Sequence, residues 1–104
     1  MSDYEILSLI NRRERQLLVH SYIYYELDGS IISDSQWSEW GVELVDLREA
    51  YPDIYDKSVY SEAFRTFDAS TGFDLIGWYT RPEIVSKANY ILRIERKSKN
   101  GTSY

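Results

Sequence analysis

No proline or glycine interrupts this chain before Asp28-Gly29, and over that length Leu7, Ile10, Leu17, Leu18, Tyr22 and Tyr25 recur close to the helical period. The spacing predicts a first helix over about residues 3–27. The next boundary is marked by Ser33 followed by Gln36, a capping-box pair in which the hydroxyl accepts from a backbone amide and the glutamine side chain reaches back. Asp34 then falls in the first turn, where its charge suits the positive end of the helix dipole. Trp37, Trp40, Gly41, Leu44 and Leu47 keep one face for packing until Tyr51-Pro52, where the proline disfavours helical geometry in the residue before it. Two such helices predict an antiparallel hairpin over about residues 3–52.

The second half is less regular. Residues 58–67 read as a short helix with Val59, Ala63, Phe64 and Phe67 on one side, and residues 68–72 read as a loop. Residues 73–79 are apolar and broken by Gly77, which predicts an irregular or extended segment. Thr80 and Glu83 repeat the capping-box pattern with Pro82 in the first turn, and Ile84, Ala88, Ile91 and Leu92 mark a last helix, with Glu95 beyond them. The polar residues 98–104 are expected to fray. The expected class is therefore mainly α: an antiparallel helical hairpin, a C-terminal helix and one short irregular or extended piece. A length of 104 residues suits a single domain over residues 1–104, and 43% hydrophobic content suffices for a modest core.

The function classes narrow by composition. There is no cysteine and one histidine, which excludes disulfides and thiolate zinc sites and argues against a histidine metal cluster. No apolar run approaches the ~20 residues of a membrane helix, and Met1-Ser2-Asp3-Tyr4-Glu5 lacks the basic and apolar regions of a signal peptide, so a cytoplasmic protein is expected. A formal charge of -5 argues against nucleic-acid binding, which relies on lysine and arginine releasing counterions. Arg12, Arg13 and Arg15, and later Arg93, Arg96, Lys97 and Lys99, form two basic clusters. Each has an acidic neighbour, Glu14 or Glu95, and reads as a solvated charged face.

His20, Tyr22, Tyr24 and Tyr25 precede the connector, and Ser33, Asp34, Trp37 and Trp40 follow it. Aromatics at this density either fill a core, each contributing ~2–3 kcal/mol, or stack on a flat ring, and together with Asp34 they outline an aromatic, acidic cleft. Catalytic signals are sparse. His20 as a lone histidine is better explained by packing or ligand contact than as a general base. Ser33, Ser35 and Ser38 are explained by capping, and Ser70-Thr71-Gly72-Phe73 is too short for a phosphate loop.

The order of residues 20–52 resembles a known pattern. The chain reads His20-Ser21-Tyr22-Ile23-Tyr24-Tyr25-Glu26-Leu27-Asp28, then Ile32-Ser33-Asp34-Ser35-Gln36-Trp37-Ser38, then Glu43-Leu44, Leu47 and Pro52. This is similar to the N-terminal domain of bacterial NAD-dependent DNA ligases, the helical part that precedes the adenylation domain and recognises the nicotinamide mononucleotide (NMN) half of NAD. In that family the motif runs His-x-Tyr-x-Tyr-Tyr, Leu-Asp, Ile-Ser-Asp-x-x-Tyr-Asp, Glu-Leu-x-x-Leu and a terminal proline. The resemblance implies a ligand site made of His20, Tyr22, Tyr24, Tyr25, Asp34, Trp37 and Ser38, with NMN or NAD as the ligand. In it Tyr24 and Trp37 offer flat faces, while Tyr25 and Asp34 supply polar contacts. Trp37 stands where the family has tyrosine, which keeps a stacking surface and loses a hydroxyl. Ser38 stands where the family has an aspartate, which removes a charge favourable to a cationic ring and predicts weaker binding.

The resemblance ends at Pro52 and omits everything that performs ligation. The family's nucleophile lies in Lys-x-Asp-Gly, and the only Asp-Gly here, Asp28-Gly29, has Glu26 at the lysine position. A non-enzymatic protein is expected. Small stand-alone relatives of this ligase domain look like a type encoded by bacteriophages and their hosts, which implies a second possibility. The hairpin would then be a scaffold whose C-terminal half binds or inhibits a host or defence protein through an exposed apolar patch around Phe73, Ile76, Trp78 and Tyr79. NAD hydrolysis through Asp34 or Glu43 is the least supported alternative.

Overall fold

The structure, a computed structural model, describes residues 1–101, with side chains through Lys97. Helix α1 spans Asp3–Glu26. Its start is fixed by a reciprocal cap: Glu5 N–H donates to Ser2 Oγ at 3.2 Å, and Ser2 N–H donates to Glu5 Oε1 at 3.1 Å. Its end is set where Asp28 turns to φ 48° and Gly29 N–H reaches back to the Ile23 carbonyl at 3.1 Å. Helix α2 spans Asp34–Ala50, with Gln36 N–H donating to Ser33 Oγ at 3.0 Å, the hydroxyl half of the expected cap.

Cross-helix partners run in opposite senses along the two helices. Arg13 meets Glu43, His20 meets Trp40 and Ser21 meets Trp37, so α1 and α2 are antiparallel. Pro52 opens the single turn α3, Pro52–Tyr55. After a stretch of turns come a 3₁₀ turn, Phe73–Leu75, the single turn α4, Ile76–Tyr79, and the long helix α5, Pro82–Gly101. No strand occurs among the described residues, and the class is mainly α.

The core is one cluster centred on the inner face of α1. Ile10, Leu17, Leu18 and Ile23 pack with Leu44 of α2, Tyr55 of α3, Phe64, Tyr79 of α4, and Ile84 of α5, all buried. The fully buried stripe of α5 ends at Ala88, and Ile91 and Leu92 pack half-buried against the cluster. Tyr90 and Ile94 are half exposed, so the basic residues Arg93, Arg96 and Lys97 lie on a helix end that leaves the core.

Several expectations for the second half are corrected. Residues 58–67 form successive turns rather than a helix, because groups elsewhere in the chain claim their backbone. Tyr60 N–H donates to Glu14 Oε1 and Val59 N–H to Asn11 Oδ1. The Arg48 guanidinium donates to the carbonyls of Phe64 at 2.6 Å and Phe67 at 2.8 Å. These side-chain bonds replace the i→i−4 ladder a helix would need. Residues 73–79 are helical turns, not extended. The second capping box does not form: Thr80 Oγ1 donates back to the Ile76 carbonyl, while Glu83 accepts from the Tyr60 hydroxyl at 2.9 Å. The tail expected to fray is helical through Gly101, and its last residues, 102–104, lie outside the described ones.

Arg48→Met tests the cap on the turn segment. It leaves two carbonyls without their charged donor and is expected to cost about 2–4 kcal/mol. Urea unfolding should show the midpoint falling with an unchanged slope.

Glu14 is also corrected. Read as part of a solvated charged face, it is instead fully buried. Four residues after Ile10 and three before Leu17, it lies on the inward stripe of α1. There its carboxylate accepts from Ser58 Oγ at 2.7 Å and Tyr60 N–H at 3.0 Å. Arg13 pairs across the helix seam with Glu43 at 2.6 Å and lies over the Trp40 ring, rather than facing solvent freely.

Candidate functional site

A cavity of about 210 Å³ opens where the C-terminal end of α1 meets the N-terminal end of α2. His20, Tyr24, Tyr25, Asp34, Trp37 and Ser38 all line it, which is six of the seven residues singled out in the sequence. Tyr22 does not. It packs edge-on against Tyr79 at 6.3 Å on the core side of α1, since a helix sends residues 22 and 24 in widely different directions.

Helical spacing explains the two walls. Ser21, Tyr24 and Tyr25 fall three and four apart on α1, and Asp34, Trp37 and Ser38 do so on α2, so each trio shares one face. The walls are tied by the Trp37 indole, whose Nε1–H donates to the buried Ser21 Oγ at 3.3 Å. The Trp37 ring also meets Phe67 edge-on at 5.8 Å. Tyr25 is held on three sides. It stacks on Tyr79 at 6.1 Å, meets Phe73 edge-on at 5.7 Å and shares a hydrogen bond with Thr71 Oγ1 at 3.1 Å. Tyr24, 54% exposed and edge-on to Tyr25 at 4.9 Å, is the open aromatic of the rim.

The third wall comes from the second half of the chain, Ser70, Thr71 and Gly72, and the connector residues Ser30, Ile31 and Ile32 complete the lining. Asp68 shapes this wall, with Oδ1 accepting both Ser70 N–H at 3.0 Å and Ser70 Oγ–H at 2.6 Å, and these bonds hold its carboxyl below the usual range. Ala69 takes φ 68°, a left-handed conformation costly for a residue with a Cβ, and a side chain on Gly41 of α2 would collide with its methyl group. Gly72 sits against Ser21 and Trp37, leaving no room for a Cβ.

Reading the sequence missed this wall and Ser21. A serine flanked by Leu17, Leu18 and Tyr25 on an otherwise apolar stripe was a detectable signal for a buried polar contact. Nothing local marks residues 70–72 as pocket residues, since their place depends on α2 meeting them across some thirty residues of chain.

The electrostatics are simple. Among the described residues Asp34 is the only one lining the cavity with a formal charge at neutral pH, because burial pushes the His20 imidazole below its ordinary pKa and keeps it neutral. His20 lies against Trp40 at 5.6 Å, and its Nδ1 is buried without a hydrogen-bond partner. Among the described residues no group of three His, Asp or Glu side chains could hold a metal ion, and no helix is long and apolar enough to cross a membrane. No family model, curated protein or solved structure matches this chain.

Proposed function

We propose that this chain is a non-catalytic module that binds a nicotinamide nucleotide, NMN or the corresponding half of NAD, in the cavity between α1 and α2. The observation that carries this reading is the convergence of six residues from the ligase-like motif, drawn from both helices, on one opening. A flat cationic ring suits an aromatic rim beside a single carboxylate. At about 210 Å³ the cavity is below the ~300–1,000 Å³ of drug-sized ligand sites, so it would take one ring with its nearest substituents and leave the rest of a dinucleotide outside.

Two-dimensional NMR titration with NMN, NAD and AMP tests the reading. Localised shifts at Tyr24, Tyr25 and Trp37 with the first two ligands, and none with AMP, are expected. Trp37→Ala should abolish binding while leaving a weakened fold, and Ser38→Asp should strengthen binding several-fold by adding a second carboxylate. Unchanged affinity in both variants would remove the pocket from consideration.

A second reading is favoured by one observation: Phe73 and Ile76, 58% and 45% exposed, sit close together on the 3₁₀ turn and α4. They would offer a contact surface to a host or defence protein, the hairpin serving as scaffold. Of the wider patch expected from sequence, Trp78 is half-buried beneath Arg81, and Tyr79 belongs to the core. Flat spectra with all three nucleotides, together with complex formation lost in Phe73→Ser, would favour this second reading.

A further inference from the structure

The end of the bundle away from the cavity carries two complementary surfaces. Tyr79 lies against Tyr22 and Tyr25 near the C-terminal end of α1, whereas Glu83 is bonded to Tyr60, whose amide is bonded to Glu14. The chain thus enters α5 already descending toward the start of α1, and α5 runs antiparallel to it. The 20 residues of α5 extend about 30 Å, while α1 from Asp3 to Glu14 extends only about 17 Å. The last turns of α5 therefore project past the bundle, whose longest dimension is 48 Å against 29 and 25 Å. The C-terminal half of α2 lies at the same end, since Trp40 meets His20 and Glu43 meets Arg13.

The two surfaces are opposite in charge. Lys87, Tyr90, Arg93, Ile94 and Lys97 fall three and four apart along α5, with the Lys87 ammonium over the Tyr90 ring at 5.4 Å, while Glu95 follows the inner stripe of Ala88, Ile91 and Leu92. On α2, Glu39, Val42, Glu43, Asp46, Leu47 and Ala50 line an outward groove. Arg13 neutralises Glu43, but among the described residues Glu39, Asp46, Arg93 and Lys97 enter no ion pair. Half-exposed apolar side chains, Val42 on α2 and Tyr90 and Ile94 on α5, lie between these charges.

We infer that this groove on α2 receives the projecting end of α5 from a second copy of the chain, exchanged reciprocally across a two-fold axis. Because both surfaces sit at one end of the molecule, a copy turned end over end brings each α5 alongside the other's α2, antiparallel to it. Arg93 and Lys97 then face Asp46 and Glu39, while Tyr90 and Ile94 cover Val42 and Leu47. A reciprocal contact of this kind closes at two copies.

Sedimentation velocity of the full chain, from micromolar to millimolar concentration, tests the arrangement. A dimer and nothing larger is expected, weakening several-fold as salt screens the exposed charges. Asp46→Lys and Arg93→Glu, at exposed positions outside the candidate pocket, each set like charges against one another in both contacts and should each weaken the dimer by about tenfold or more. Mixed together, the two variants should pair again. The basic α5 of the first then meets the acidic α2 of the second, and the reversed charges meet in the other contact. An effect confined to one chain would not recover on mixing, so the absence of recovery would overturn the proposal. A series of species beyond the dimer would overturn the reciprocal closure. A wild-type chain that stays monomeric at millimolar concentration would overturn the proposal as well and leave the groove to a basic helix of another protein.

Discussion

Gly72→Ala is expected to open the candidate pocket and destabilise the fold, although it adds one methyl group. A Cβ at this position would overlap Ser21 Oγ and come within 3.0 Å of Trp37 Cζ2. Neither neighbour can yield easily. Ser21 is buried on the inner face of α1, and its hydroxyl anchors the Trp37 indole. The loop over residues 70–72 must therefore move outward, taking a wall of the cavity and the Thr71 bond to Tyr25 with it. Overpacking of this kind costs about 1–3 kcal/mol. The Trp37 indole N–H resonance should shift in the free protein, the melting temperature should fall by several degrees, and affinity for the pocket's ligand should drop at least tenfold. Ser21→Gly in the same chain should restore space and recover part of the loss. An unmoved indole resonance and unchanged melting would show that the loop does not seat there.

Glu14→Gln is expected to change the pH profile of stability. The buried Glu14 carboxyl is pushed up to about 7 by desolvation, which outweighs the Ser58 and Tyr60 hydrogen bonds that favour ionisation. A carboxyl whose folded pKa exceeds its unfolded value of 4.5 binds its proton more tightly in the native state. Its stabilisation is complete below about pH 4.5 and is lost as pH rises through about 7. A shift of that size corresponds to roughly 3 kcal/mol at ~1.4 kcal/mol per pH unit. His20, depressed by burial, works in the opposite sense, losing stability as pH falls below its ordinary value, so the wild-type curve alone mixes the two. The difference between wild type and Glu14→Gln isolates Glu14. Glutamine mimics the protonated carboxyl, with its carbonyl accepting from Tyr60 N–H and its amide donating to Ser58 Oγ. Urea unfolding at pH 5 should find the two proteins within about 1 kcal/mol of each other, and at pH 8.5 the variant should be the more stable by on the order of 2–3 kcal/mol. Parallel profiles across that range would show that Glu14 titrates normally.

Local signals carried the first half of the fold. Helix α1 begins and ends within a residue of its predicted limits because breakers are absent until Asp28-Gly29, and α2 starts directly after Ser33 because a serine at the cap can accept an otherwise orphaned amide. The same kind of signal failed at Thr80 and Glu83. Their side chains had stronger partners, the Ile76 carbonyl and the Tyr60 hydroxyl, and the second of these is distant in sequence. It failed again over residues 58–67, where helical periodicity is real but the amides and carbonyls are taken by Asn11, Glu14 and Arg48.

The amino-acid order by itself determined two capped helices and the residues that face each other across their ends, because period, caps and breakers act within a few residues. It thereby placed Tyr24, Tyr25, Asp34, Trp37 and Ser38 on facing walls. Tertiary structure decided what no local pattern encodes: that Tyr22 turns to the core, that Glu14 is buried rather than solvated, and that Ser70, Thr71 and Gly72 complete the cavity. Those outcomes depend on which distant groups meet once the inner face of α1 is covered. Burial then changes the energetic cost of a charge, a proton or a single methyl group by amounts that local sequence does not specify.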